Sequence, residues 1–413
     1  MPKNSLRAVR RPIDEPPAPP AVESARPDFA QGESVRAPAD GSIPVFVPEI
    51  GLDTVKHMTD ALHVGWLGMG KVTKEFEERI AAVLGLEGRY VVATNTGTSA
   101  LHIALLAAGV GPGHEVITPS FNYAADHQAV IATGAEVVMC DIRDDNLGID
   151  CDKAEELVTP RTKAIIPLHF AGIPCDQDGV YRLARKHNLR VIEDGCHAFG
   201  SSIGGARIGS YGDITCFSFD PVKIITSVDG GAVITGSSDE VENLHRLRLL
   251  GVDKDTMLRY QNKRAWDYDV VGPGFRYHLT NIMASVGISQ IKRLDEFIAS
   301  RRRVCRAYSE AFRGIDGLRV PQTDFSNVSP FIYSLRVLHN KRDELMAHLD
   351  RRGVKAGVHF LPVHKHQYFR DARRGDMSMT EKVCPEVLTL PLHSNMRPEW
   401  SERVIDGVTS FFR

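Results

Sequence analysis

This chain carries no surplus of either charge. Its 413 residues hold 50 Lys and Arg against 52 Asp and Glu, a net charge of −2 with histidine neutral. A basic face able to draw in nucleic acid or an anionic membrane would leave an excess, so neither partner is expected. Long apolar runs are missing as well, and no stretch approaches the roughly 20 residues that span a bilayer. Cysteine is sparse: Cys140, Cys151, Cys175, Cys196, Cys216, Cys305 and Cys384. The number is odd and no pair has the short spacing of a zinc knuckle or redox motif. Such cysteines read as reduced thiols in a cytoplasmic protein. Arg10 and Arg11 open like a twin-arginine export signal, but PIDEPPAPPAVES follows where an apolar region should stand, so export is not expected.

What is present is ordinary globular composition, 43% hydrophobic and 25% charged, with length for two or three domains. Residues 1–45 stand apart. Nine of the 23 prolines fall in the first 44 residues, among Ala, Ser, Glu, Asp and Arg. That segment has too little apolar surface to offset its ordering entropy and reads as a disordered arm. Residues 46–287 then alternate between strand-like and helix-like runs. YVVA, EVITP, AEVVMCDI, KAIIPLHF and LRVIED read as strands, with helical SALHIALLAAGV, NYAADHQAVIATG and GVYRLARKHN between them. The alternation predicts an α/β domain with a largely parallel sheet, whose ligands bind at the strands' C-terminal ends.

Residues 288–413 have another texture. Apolar Ile288, Ile291, Leu294, Phe297, Ile298, Val304, Tyr308 and Phe312 suit one long helix. A strand (FIYSLRVL), a helix (DELMAHLDRR), a strand (KAGVHF) and a last helix (SERVIDGVTSFF) complete a smaller α+β domain.

Four elements carry chemistry. In ITCFSFDPVKIITSVDGGAVIT, apolar runs flank a lone lysine, Lys223, with Ser218 five residues before it. Burying an ammonium is costly, and the same cost makes the amine nucleophilic and fit for a Schiff base. Alone, Lys223 reads equally as a surface lysine in a loop. VIEDGCHAFG ends a strand at Asp194, where a carboxylate can meet a cofactor's ring nitrogen or simply cap a turn. TNTGTSAL puts Gly97, Thr98 and Ser99 at a helix start, an anion site or an ordinary N-cap. In PSFNYAA, Phe121 or Tyr123 could stack on a flat ring or fill a core. It is the four together, in this order, that point to pyridoxal phosphate chemistry.

With these residues the chain resembles the DegT/StrS group of pyridoxal-phosphate sugar aminotransferases. The likeness runs from about residue 44 to the C-terminus through GWLGMG, GTSALHIAL, GVGPGHEVITPSF, TPRTKAIIPLHFAGIPCD, VIEDGCHAFGS, FSFDPVK, DGGAV, GPGFRYHLTNI, GVHFLPVH and LPLH. It implies the aspartate-aminotransferase-like fold, type I, with a seven-stranded large domain over 46–287. It also implies a homodimer with shared active sites. Lys223 would bind the cofactor and move the proton, and Asp194 would pair with its ring nitrogen. Thr98, Ser99 and Ser218 would hold its phosphate, with Tyr123 against its ring and His197 near its 3-hydroxyl. Arg276 would reach the phosphate bound by the neighbouring subunit. His359 and His364, in a loop that also holds His366, would line the acceptor site without a metal.

The chain departs from the family pattern in places: Ile224 follows the lysine where Asn is usual, Asp229 stands for Glu, and Gly195-Cys196 for two alanines. Arg276 and His278 replace Asn and Arg. The implied reaction moves an amino group from L-glutamate to a keto sugar, foremost a nucleotide-linked 4-keto-6-deoxyhexose, as WDYDVVGPGFRY suggests, in polysaccharide, lipopolysaccharide or secondary-metabolite amino-sugar biosynthesis. A 3-keto sugar, a keto-cyclitol or an octulosonate precursor are alternative acceptors. Sugar dehydratases among the relatives carry His in place of the lysine, so Lys223 argues against that chemistry. The intact Lys, Asp and phosphate set argues against a binding protein with a relict site.

Overall fold

The computed structural model describes residues 40–253 and 268–413. The expected arm therefore lies, up to residue 39, outside the described residues. Its last stretch is not armlike. Ile43 is fully buried, its N–H donates to the Gly353 carbonyl at 2.8 Å, and its own carbonyl accepts from Lys355 at 2.9 Å. The apolar run IPVFV explains this earlier boundary, because it has surface worth burying.

Nine strands lie in the first part of the fold: β1 (Tyr90–Thr94), β2 (Glu115–Pro119), β3 (Glu136–Cys140), β4 (Thr162–Ile165), β5 (Arg190–Asp194), β6 (Ser202–Ile203), β7 (Ala206–Arg207), β8 (Ile214–Ser218) and β9 (Gly231–Thr235). β6 and β7 form a small hairpin, and the other seven make one sheet in the order β1-β9-β8-β5-β4-β2-β3. Only β9 runs antiparallel to its neighbours. The mostly parallel seven-stranded α/β sheet expected from the alternating pattern is therefore present.

Successive residues of a strand go to opposite sides of the sheet, the period-two rule of extended chain. Val92, Val116, Ile192 and Val233 join a core with the helices Gly97–Ala107, Ala125–Ala132 and Ser238–Leu247. Their neighbours Ala93 and Ile234 meet the helices Lys71–Leu84 and Asn281–Ile291, while Ile117 and Val191 meet Cys151–Glu156 and Gln177–His187. Each large side chain buried in this way contributes about 1.5–3 kcal/mol. Gly287 lets the helix Asn281–Ile291 approach closely, since a Cβ there would come within 2.6 Å of the Phe76 ring.

A second, antiparallel sheet joins β10 (Leu318–Arg319), β11 (Tyr333–Val337) and β12 (Val387–Leu390). The helices Leu294–Phe312, Arg342–Arg351 and Pro398–Phe411 surround it, with a core that includes Tyr308, Phe312, Tyr333, Leu349, Leu388 and Val404.

Two elements differ from the sequence reading. The single helix expected over 288–312 is two helices, Asn281–Ile291 and Leu294–Phe312. Arg293 leaves helical geometry (φ −105°, ψ 7°), and its N–H bonds back to Gln290. The halves serve different cores: Ile288 and Ile291 pack with Phe76, Tyr308 and Phe312 with Tyr333. KAGVHF is not a strand. Gly357 makes one bridge to Thr389, and the chain then turns so that His359 and Phe360 face a cavity.

Candidate active site

The C-terminal ends of β1, β2, β5 and β8 open into a cavity of about 520 Å³. Each contributes the chemistry at its own exit.

After β1 the chain turns at Thr96 and starts the helix Gly97–Ala107. The Thr96 hydroxyl accepts from the Ser99 N–H at 2.9 Å, and the Ser99 hydroxyl accepts from the Thr96 N–H at 3.1 Å, a reciprocal cap. Gly97 and Thr98 line the cavity. A Cβ on Gly97 would fall 2.7 Å from Cβ of Ser218, so glycine is what lets this helix end meet the end of β8. The result is a helix N-terminus with two adjacent hydroxyls, suited to an anion. Ser99 does not share in it directly. Its hydroxyl bonds to Asn95 and to the Thr96 carbonyl and stays within the cap, outside the cavity lining.

Tyr123, after β2, is 64% exposed and stands at the mouth, its ring 5.9 Å from that of Phe360. Phe121 instead points into the core against Phe170. β5 delivers Asp194, buried, with one carboxylate oxygen held by the Cys196 N–H at 2.9 Å. His197 follows, its ring 4.4 Å from Phe331 and 5.7 Å from Phe360. Burial, with the charge of Lys223 beside it, pushes its pKa well down, so it is neutral. Its Nδ1 is buried with no hydrogen-bond partner among the described residues.

Lys223 enters from the loop after β8, half-buried, with Nζ 4.2 Å from the centroid of Phe331. Burial lowers the pKa of its amine; Cys196, Asp194 and Asp220 oppose that shift. A lysine that loses its proton readily is a nucleophile and a base. His359 closes the cavity from the far side. Its Nδ1 lies 3.0 Å from the Thr389 hydroxyl, and burial and Lys223 bring its pKa down to about 4.

The fold thus brings Thr98, Tyr123, Asp194, His197, Ser218, Lys223 and His359 together. Four residues of the expected stretches lie elsewhere. Besides Ser99, His364 is tied by Nδ1 to the Ser120 hydroxyl at 2.7 Å and is not part of the cavity lining. His366, in the same loop, is exposed. Arg276 is exposed on the surface of its own chain, its backbone bridged to Leu249. Among the described residues no three His, Cys, Asp or Glu side chains are placed to hold a metal ion.

The cavity also contains residues not anticipated from sequence. Phe46, Phe331 and Phe360 come from distant segments and wall the lysine with rings. Asp126, on the first turn of the helix Ala125–Ala132, is 1% exposed and faces Asp194. It is the sole acid between Glu115 and Glu136, which was the available signal.

Such a site, on such a sheet, fits an aminotransferase. A profile of the DegT/DnrJ/EryC1/StrS aminotransferase family matches residues 48–409, and the chain belongs to that family. Pyridoxal phosphate is the cofactor of the family's enzymes. The GDP-perosamine synthase of Caulobacter vibrioides is 35% identical over 88% of this chain and 96% of its own. The spore coat polysaccharide biosynthesis protein SpsC of Bacillus subtilis is 35% identical over 89% of this chain and 96% of its own. The solved PLP form of Spr1654 from Streptococcus pneumoniae superposes with a TM-score of 0.82 at 28% identity, over 89% of this chain and 98% of that one.

Proposed function

We propose that this enzyme transfers the amino group of L-glutamate to a keto sugar, foremost a nucleotide-linked 4-keto-6-deoxyhexose, for a surface polysaccharide or lipopolysaccharide. We further propose that it works as a cytoplasmic homodimer with shared active sites. The observation that carries the reading is the placement of Lys223 and Asp194 in one cavity with the N-terminus of the helix Gly97–Ala107. The match to a GDP-perosamine synthase and to a spore coat polysaccharide protein supports the sugar acceptor.

The residues present fit pyridoxal phosphate. The close approach at Gly97, with the Thr98 and Ser218 hydroxyls, suits the phosphate, and Ser99 keeps that helix end in shape through the cap. Asp194 suits a protonated ring nitrogen, and Tyr123 suits the ring face. The unpartnered Nδ1 of His197 suits a polar ring substituent. When bound, the cofactor supplies an electron sink that acidifies the bond beside the substrate nitrogen. The chain's own residues do the rest. Lys223 holds a proton on Nζ and moves it between donor, acceptor and cofactor, acting as base and then as acid. Asp194 keeps the ring nitrogen protonated through its negative charge. Phe46, Phe331 and Phe360 keep water from the amine. His359, fixed on Thr389 and neutral, presents Nε2 as a polar contact for the acceptor sugar.

The test uses the purified protein. It should show a visible cofactor band that L-glutamate bleaches and a keto sugar restores. Nucleotide-linked 4-keto and 3-keto sugars, keto-cyclitols and octulosonate precursors are compared for that restoration. Lys223→Ala should fold and yet lose the band and turnover. A variant that transaminates at the wild-type rate would refute the mechanism.

A further inference from the structure

Asp126 and Asp194 both line the cavity floor, 1% and 5% exposed, and their carboxyl groups face each other. Two carboxylates cannot sit so in a dry site, because both are acceptors of the same charge. One must carry a proton and donate it. We infer that Asp126 is a positioning residue: it holds the Asp194 carboxylate by an O–H···O hydrogen bond and so aims it at the ring nitrogen of pyridoxal phosphate. The inference rests on the proposed function above.

The surroundings decide which partner donates. Asn122 Nδ2 donates to Asp126 Oδ2 at 2.6 Å, and Asn122 Oδ1 accepts from the Tyr123 N–H at 2.6 Å, which fixes the amide's orientation. Asp194 accepts from the Cys196 N–H at 2.9 Å. The other titratable groups facing the pair are Cys196, Cys216 from β8, and Lys223. Asp126 lies deeper, and burial together with Asp194 pushes its pKa well up. The proton therefore stays on Asp126. A chain of donors results, Asn122 to Asp126 to Asp194, that keeps the last carboxylate from turning away from the cofactor.

The experiment strips the cofactor from wild type, Asp126→Asn and Asp126→Ala, then measures the Kd of each for two ligands. One is pyridoxal phosphate. The other is its carbocyclic analogue, with carbon in place of the ring nitrogen. An amide still donates, so Asp126→Asn should stay within about threefold of wild type. Asp126→Ala should weaken pyridoxal phosphate by about tenfold to a hundredfold, the value of a hydrogen bond to a charged group. It should move the analogue less than about threefold, because nothing on that ring answers Asp194. Equal losses for both ligands would mean that Asp126 only fills space, and an unchanged Kd would mean that it does nothing; either overturns the inference. So would an Asp126→Asn loss as large as that of Asp126→Ala. Melting curves of the stripped proteins check folding. If Asp126→Ala does not fold, Asp126→Val fills the space without a donor and takes its place. Wild type that binds neither ligand would instead overturn the proposed function, and this inference with it.

Discussion

The amine of Lys223 rests 4.2 Å from the centroid of the Phe331 ring. Two opposed forces act on that nitrogen. Burial disfavours the ammonium, and the ring face attracts it, by about 0.5–2 kcal/mol in comparable settings. Burial prevails, so the pKa falls below the 10.5 of a free lysine. Uptake of pyridoxal phosphate by the cofactor-free protein needs the unprotonated amine. Its rate should therefore rise with pH to a midpoint below 10.5. Phe331→Leu keeps the apolar wall and removes the ring, so its midpoint should move further down, by up to about one pH unit. Stopped-flow traces across pH measure both midpoints, and an upward move would contradict the account.

Asp194 should matter for turnover more than for the fold. Asp194→Asn keeps the shape and removes the charge that, in the proposed mechanism, keeps the ring nitrogen protonated. We expect kcat to fall by two or more orders of magnitude, about 3 kcal/mol or more of lost transition-state stabilisation. KM for the amino donor should change little. Steady-state kinetics decide this, and an unchanged kcat would reduce the carboxylate to a structural part.

That Lys223 and Asp194 would share one cavity was legible from local marks: a lone lysine among apolar residues, and an acid at the end of an apolar strand. The parallel sheet was legible for the same reason, since each strand reads as a short apolar run between helical patterns. Phe331, Phe360 and Asp126 were not. An aromatic residue has the same local pattern whether it fills a core or walls a cavity, and only packing of distant segments decides. Ser99 and His364 show the converse, since both lie outside the cavity lining. Both are polar residues in the right stretch, but one spends its hydroxyl on a helix cap and the other its ring on Ser120. The helix break at Arg293 was hidden because the apolar spacing continues across it while the partner core changes.

Acid should unfold the protein through its histidines. His127, His245 and His393 are pushed down to about 3 and His359 to about 4, chiefly by burial, from an ordinary 6.5. Between those values the unfolded chain binds protons that the folded chain refuses. Stability must therefore fall as pH drops from about 6.5 toward 4, by up to about 1.4 kcal/mol per pH unit for each histidine. Urea denaturation at pH 7, 6 and 5 tests this. His393 packs on Trp400 with both ring nitrogens unpartnered among the described residues, so His393→Leu should flatten the slope between pH 6 and 5. The same slope in that variant would mean His393 titrates normally.

Arg276 offers a sharp test of shared active sites. Its backbone is pinned: Leu249 bridges it, Phe275 N–H donates to the Leu247 carbonyl at 2.7 Å, and Tyr277 N–H to that of Arg248 at 3.0 Å. Its side chain is exposed and outside the cavity of its own chain. A guanidinium held outward on a fixed backbone suits a phosphate on a neighbouring subunit, which it can grip with two parallel hydrogen bonds. Arg276→Ala should weaken cofactor binding, and Lys223→Ala should abolish turnover. The two variants are then dissociated together and reassociated. If Arg276 serves the partner, each mixed dimer holds one site with both defects and one intact site. Activity should then climb above the average of the two parents, in proportion to the mixed dimers formed. If Arg276 serves its own chain, no mixed dimer holds an intact site, and activity stays at the average of the parents. An Arg276→Ala protein that binds cofactor as tightly as wild type would end the phosphate role itself.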